Sequence, residues 1–134
     1  MILDDLGAYL QTNLVGTVGT DIFLGFYPLQ GPDAMVAVFE AGGGPTDKAM
    51  GTAANRPVNV ENVRFSILSR ALDYEAARTK AHTIFKLLDG LSNFTWGGTQ
   101  YFILEANTPV NVGQDSNMRH QIITNYAAKK RVHA

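Results

Sequence analysis

The strands of this chain are apolar on both faces. Ile22, Leu24 and Phe26 alternate with Phe23 and Tyr27. Val36 and Val38 alternate with Met35 and Phe39, and Phe102 and Leu104 alternate with Tyr101 and Ile103. An antiparallel sheet with one wet face alternates apolar and polar residues instead. A chain of this kind has two sheet faces to cover, and only two segments have helical spacing. Two helices cover one face. The second face is left to the sheet closing on itself or to another subunit.

Leu3, Leu6, Leu10 and Leu14 fall on one helical stripe, with Asp4 and Asp5 in the first turn, where the helix dipole favours negative charge. Residues 15–21, with two glycines, end that helix. Strands are expected over 22–27 and 34–40, joined by the turn-rich PLQGPD. In VNVENVRFSILSR, Val58 and Val60 keep one phase while Val63, Phe65 and Ile67 keep the other. That slip predicts a bulge near Glu61 and Asn62. Asp73 is placed to cap a second helix whose stripe is Tyr74, Ala77, Ala81, Ile84, Leu88 and Leu91, with Gly90 as its left-handed stop. Gly97-Gly98 reads as a two-residue hairpin turn, NTPVNVGQDSN as a long polar loop, and RHQIITNYAAKK as a last strand. The order is α-β-β-β-α-β-β-β, with no long linker, repeat or second core. The expected class is α+β: one domain over 1–134, a mainly antiparallel sheet with two helices packed on one face.

At 134 residues the chain is long enough to bury a core without staples. It has no cysteine, so disulfides and thiolate metal sites are excluded. A net charge of -1 gives no electrostatic footprint for nucleic acid or an anionic membrane. Lys129-Lys130-Arg131 reads as a solvated tail. MILDDLGAYL carries acids where a secretion signal needs bases, and no apolar run approaches the roughly 18 residues of a membrane span.

AGGGPTDKAMGTAANRP raises the question of a phosphate-binding loop. Aligning Lys48 with the lysine of that motif puts Asp47 on its second glycine and Ala49 on its hydroxyl position. A carboxylate would face the phosphate and no hydroxyl would hold magnesium, so the nucleotide reading fails. What remains is a flexible arm over 41–57, unusually long for a compact domain. It is expected to order against a neighbour. The histidines, His82, His120 and His133, share no metal spacing, and no nucleophile elbow is present. Glu105 reads as a strand-end residue at the water boundary. Nothing here supports an enzyme or a cofactor.

From Arg70 to Tyr126 the chain resembles the small tail-completion, or minor capsid, proteins of long-tailed bacteriophages. The resemblance rests on Asp73, Tyr74 and Ala77 opening a helix that ends in Asp89-Gly90. It continues through Pro109, Gly113, Asp115 and Arg119 in a loop, then Asn125-Tyr126 in the last strand. Met118 stands where the pattern has glycine. The resemblance implies a tail terminator: a subunit that forms a hexameric ring on the end of the tail tube, stops its growth and meets the head connector. The implied partners are further copies of the chain, the tail tube protein and a connector or neck protein, with DNA passing unread through the lumen. The implied place is the head–tail interface of a virion assembled in the host cytoplasm. Candidate contact residues are Gly42, Gly43, Gly44, Lys48, Asn55 and Arg56 in the arm, with Asp115 and Arg119 in the loop. Asp115 can close its own turn, and the long stem of Arg119 can reach across a subunit boundary. Two other readings stay open: a neighbouring neck or head-completion protein, and a small-ligand or RNA-binding module on a ferredoxin-like sheet.

Overall fold

The computed structural model describes residues 2–13, 15–26, 31–41, 47–49 and 58–131. Helix α1 spans Ile2–Thr12 and α2 spans Tyr74–Leu88. Strands are β1 Ile22–Leu24, β2 Met35–Ala41, β3 Asp47–Ala49, β4 Val58–Ala71, β5 Ser92–Trp96, β6 Thr99–Ala106, β7 Val110–Gln114 and β8 His120–Arg131. The class is α+β, with a sheet that is antiparallel except where β1 runs parallel to β2.

The spatial order is β1-β2-β4-β8-β6-β5, with β3 on the flank of β4 and β7 on the flank of β8. The long central pair is thus flanked on each side by an interrupted strand: β2 then β3 along β4, β6 then β7 along β8. The interruption between β6 and β7 contains Pro109, which has no N–H to give a ladder. Read along the chain, helix, short strand, interrupted strand and long strand occur twice. No sequence repeat announces this arrangement. The halves also differ, since β5 is antiparallel to β6 where β1 is parallel to β2.

Several sequence-based expectations need correction. The element order gains two strands, β3 inside the expected arm and β7 inside the expected polar loop. No bulge breaks β4 near Glu61: its pairing with β8 runs without a shift from Val60↔Arg131 to Ala71↔His120. The slip lies on the other flank, where β4 changes partner from β3 to β2. Six residue steps separate Ala41 from Asp47, against four between their partners Arg64 and Val60. The basic run is no tail. Lys129 Nζ donates to Asn62 Oδ1 at 2.9 Å, and Lys130 Nζ lies 3.6 Å from Glu61 Oε2 across the β4–β8 pair. Strand β1 stops at Leu24, where Gly25 takes a φ of 84°.

Residues directly opposite in an antiparallel pair share a face, so the register sorts the core. One face carries Val36, Val38, Phe65, Ile67, Leu104, Tyr126 and Ala128. These pack with Leu3, Leu6 and Leu10 of α1 and with Ile84 and Leu88 of α2. Further along α2 the small side chains of Ala77 and Ala81 let the helix approach Ala71 and Ile122 closely. Asp73 caps α2 by accepting the Glu75 N–H, and Gly90 follows it at φ 82°. Asp89 Oδ1 accepts the Ala106 N–H at 3.0 Å, fastening the helix end to β6. Gly97 and Gly98, at φ 55° and 80°, make the predicted two-residue turn between Trp96 and Thr99.

The opposite face carries a second apolar cluster of Phe23, Met35, Ala37 and Leu68, flanked by Phe39 and Ile123. These four are buried within the chain itself, so this part of the second face needs no other subunit. The connection from β1 back to β2 meets this face: Arg70, in the phase of Leu68, donates from Nη2 to Pro32 O at 2.7 Å. Farther along, the same face turns polar.

Candidate assembly site

The turn between β7 and β8 is built around Asp115. Its Oδ1 accepts the N–H groups of Asn117 and Arg119, both at 2.9 Å. Its backbone N–H donates to Arg119 O at 3.0 Å, and Met118 N–H donates to Asp115 O at 3.0 Å. An aspartate tolerates this turn because its short carboxylate mimics a backbone carbonyl two residues on. Upstream, Asn111 Oδ1 accepts the Gly113 N–H at 2.9 Å, and a register shift between Asn111 and Gly113, at φ 95°, bends β7.

Arg119 closes the turn from inside. Its Nε donates to Asp115 Oδ2 at 2.9 Å, while Nη1 donates to Gly31 O at 3.1 Å and lies 3.7 Å from Asp33 Oδ1. Only 2% of Arg119 is exposed. Burial alone would push the Asp115 carboxyl up. The Arg119 and Asn117 backbone N–H groups, then the Arg119 guanidinium, outweigh it and hold the carboxyl below the usual aspartate range.

The expected pairing of Asp115 with Arg119 is therefore present, and so is the turn that Asp115 was expected to close. The expected reach of Arg119 to a neighbour is not what this chain shows. Its guanidinium points inward, to the segment 31–33. Arg70, 1% exposed, takes the carbonyl next to the one Arg119 takes. Two buried arginines from β4 and from the β7–β8 turn thus clamp one connection through its backbone carbonyls. The sequence reading missed Arg70. The available signal was an arginine near the end of a strongly apolar strand.

Of the arm residues, Lys48 lies in β3, opposite Asn59. Gly42, Gly43, Gly44, Asn55 and Arg56 lie outside the described residues. The structure does not bring Lys48 to Asp115 and Arg119. Strand β3 pairs with the start of β4, whereas the turn adjoins its end, where His120 faces Ala71.

What this surface offers is edge and shape. All five residues of β7 are exposed, and among the described residues β7 pairs with β8 alone. Val110 at 57% and Val112 at 49% are open to solvent. A cavity of about 540 Å³ on the polar part of the helix-free face is rimmed by Arg64, Ser66, Glu105, Asn107 and Asn125, with Ser66 Oγ donating to Asn125 Oδ1 at 2.7 Å. Glu105 is exposed at the strand end, as its position predicts. Among the described residues, no three of His, Cys, Asp and Glu gather as a metal would require, and no helix is long and apolar enough to cross a membrane.

A chain from the virion of a native gene transfer agent particle has a similar fold. The TM-score is 0.55 at 17% identity, with 95% of this chain and 93% of that one covered. A second solved chain is similar at a TM-score of 0.53 and 9% identity, covering 99% of this chain and 92% of its own. No curated protein sequence matches. The model of the bacteriophage tail terminator protein family matches residues 9–130, from α1 to the last residues of β8. That span takes in the end of α1, all of α2, the clamped connection and the Asp115 turn, and the chain therefore belongs to the bacteriophage tail terminator proteins, structural components of the phage tail.

Proposed function

We propose that this chain caps the tail tube as a ring of identical subunits, six in number, ending tube growth and giving the head connector a surface to join. The family match over residues 9–130 carries the reading. The exposed edge of β7 supports it, and the glycine-rich sequence of the arm at 41–57 is a feature an assembling subunit can use. A head-to-tail ring uses two different surfaces of each subunit, which a sheet with two unlike flanks provides. Its partners are then its own copies, the tail tube protein and a connector or neck protein. Its place is the head–tail interface of a virion assembled in the host cytoplasm, with DNA passing through the lumen by shape alone. Gly42, Gly43, Gly44, Lys48, Asn55 and Arg56 are the contact residues proposed for the arm. Asp115 and Arg119 act one step removed, by fixing the β7–β8 turn.

The test is electron microscopy of particles assembled with and without the chain, alongside its mass in solution and on isolated tubes. The expected result is uncontrolled tube length and tailless heads without it, and a ring-shaped cap with it. Tubes of normal length that fail to join heads would move the chain to a neck role and overturn the terminator reading.

A further inference from the structure

We infer that the outer edge of β7 is an intersubunit strand-pairing edge, and that its occupant is strand β3 of a second copy of this chain. The inference rests on the ring reading above and names the contact that builds the ring.

Three observations converge. First, β7 carries none of the usual protections of an edge strand beyond its single bulge. Val110-Asn111-Val112-Gly113-Gln114 has no charge, is exposed throughout, and presents two valines. Val110 pairs with Ile123 and so extends the apolar strip of the helix-free face, while Val112 is the residue that the register shift inserts between Asn111 and Gly113. Second, β3 has three residues and among the described residues pairs with β4 alone. A strand so short, held on one side among the described residues, is marginal, and a partner along its other edge would stabilise it.

Third, the strand directions fit. β3 is antiparallel to β4, β4 to β8, and β8 to β7. Across β3-β4-β8-β7 the direction alternates at every step, so a β3 of the next subunit placed beside β7 continues the alternation. The two edges lie on opposite flanks of the central pair, which makes the contact heterologous and able to propagate from subunit to subunit. They are also staggered: β3 sits beside Val58–Val60, β7 near the far end of β4. A stagger of this kind tilts strands against the ring axis, as shear does in a barrel.

The chain has no cysteine, so introduced thiols report cleanly. Val112→Cys is mixed with Asp47→Cys or with Lys48→Cys, adjacent positions that between them sample both faces of β3. The expected result is a disulfide-linked dimer in one of the two mixtures and in neither single variant alone. A chain carrying both substitutions is expected to give a ladder ending at the ring. In parallel, Val110→Lys with Val112→Lys should reduce the assembled fraction at least tenfold, on tubes and in solution, with the thermal midpoint unchanged. Cross-linking of Val112→Cys to itself would show a two-fold β7–β7 contact and overturn the inference. Rings formed normally by the lysine variant would overturn it too while leaving the terminator reading intact. Wild-type chain that never assembles, even with tubes present, would overturn both.

Discussion

Arg119 Nε lies 2.9 Å from Asp115 Oδ2, and a second arm of the same guanidinium reaches the carbonyl of Gly31, 88 positions earlier in the chain. A pair four residues apart in a polar loop is usually a solvated pair that contributes little. Here the guanidinium is withdrawn from water and joins the β7–β8 turn to the β1–β2 connection. Its role in this chain is to brace the fold.

Replacing Arg119 by alanine should therefore destabilise the folded chain. Removing one partner of a buried, hydrogen-bonded pair costs about 3 kcal/mol. The exposed Asp33 contact adds little to that figure. Arg119→Lys should recover less than half, because one ammonium cannot reach Asp115 and Gly31 in the same fork geometry. Urea denaturation measures both. An unchanged midpoint for Arg119→Ala would show that the brace is idle.

Asp115 makes this part of the stability depend on pH. Its carboxyl is held below the ordinary range in the folded chain. The contribution is then fully present above the ordinary aspartate value of about 3.9 and is lost as pH falls through the lowered folded value. Asp115→Asn should be less stable than wild type by a constant margin from pH 7 down to about 5, and the margin should shrink on further acidification. A margin as large at pH 2.5 as at pH 7 would remove the charge from the explanation.

The alkaline side should depend on two buried tyrosines, Tyr101 and Tyr126, whose hydroxyls burial pushes up. At Tyr101, burial, then the Asp5 carboxylate and its contact with the phenol at 3.3 Å, raise the hydroxyl above its ordinary value. A group raised in the folded state stabilises fully below its unfolded value, about 10 for tyrosine, and loses that contribution as pH rises beyond it. Stability of wild type should therefore fall above pH of about 10, and Tyr101→Phe should make that fall shallower, the remainder resting on Tyr126. Parallel curves for the two chains would assign the alkaline loss to other groups.

Helix α2 supplies the plainest stability test. Ile84 and Leu88 are almost wholly buried against the sheet. Ile84→Ala and Leu88→Ala should each cost about 2–5 kcal/mol, the range for large-to-small changes in a packed core. Losses below about 1 kcal/mol at both positions would mean that the surrounding side chains collapse onto the vacated space.

What could be read in the sequence was what depends on neighbours along the chain. The α2 stripe, the Asp73 cap and the Gly97-Gly98 turn each write their signal within a few residues. Strand β7 wrote too little, because its short Val-Asn-Val alternation lies between Pro109 and Gly113 among polar residues that read as loop. Strand β3 sits beside the glycine-rich run, whose composition reads as loop. The burial of Arg70 and Arg119 was hidden for a different reason. Their acceptors, Pro32 and Gly31, lie 38 and 88 positions away, and no local pattern tells a clamped arginine from a solvated one. The two-faced apolar strands correctly demanded cover for the second face, but not that the chain's own β1–β2 connection would meet it.

The departure at Met118 now has a physical meaning, and it makes the sharpest prediction. The tail-completion pattern has glycine before the arginine, and Met118 holds a φ of 62°, the left-handed region that glycine occupies freely. A side chain there costs roughly 1–2 kcal/mol through the clash of its Cβ with the following carbonyl. The turn imposes that conformation, because Asp115 Oδ1 takes the N–H groups on either side of Met118, and the Met118 N–H returns to Asp115 O. The side chain gains little within this chain, being 67% exposed. Met118→Gly should relieve the strain while adding freedom to the unfolded chain, which costs about 0.5–1 kcal/mol. The net expected effect is a stabilisation of up to about 1 kcal/mol, read as a higher urea midpoint with an unchanged slope. A drop of more than about 0.5 kcal/mol would mean that the methionine side chain makes contacts in the folded chain worth more than its backbone strain.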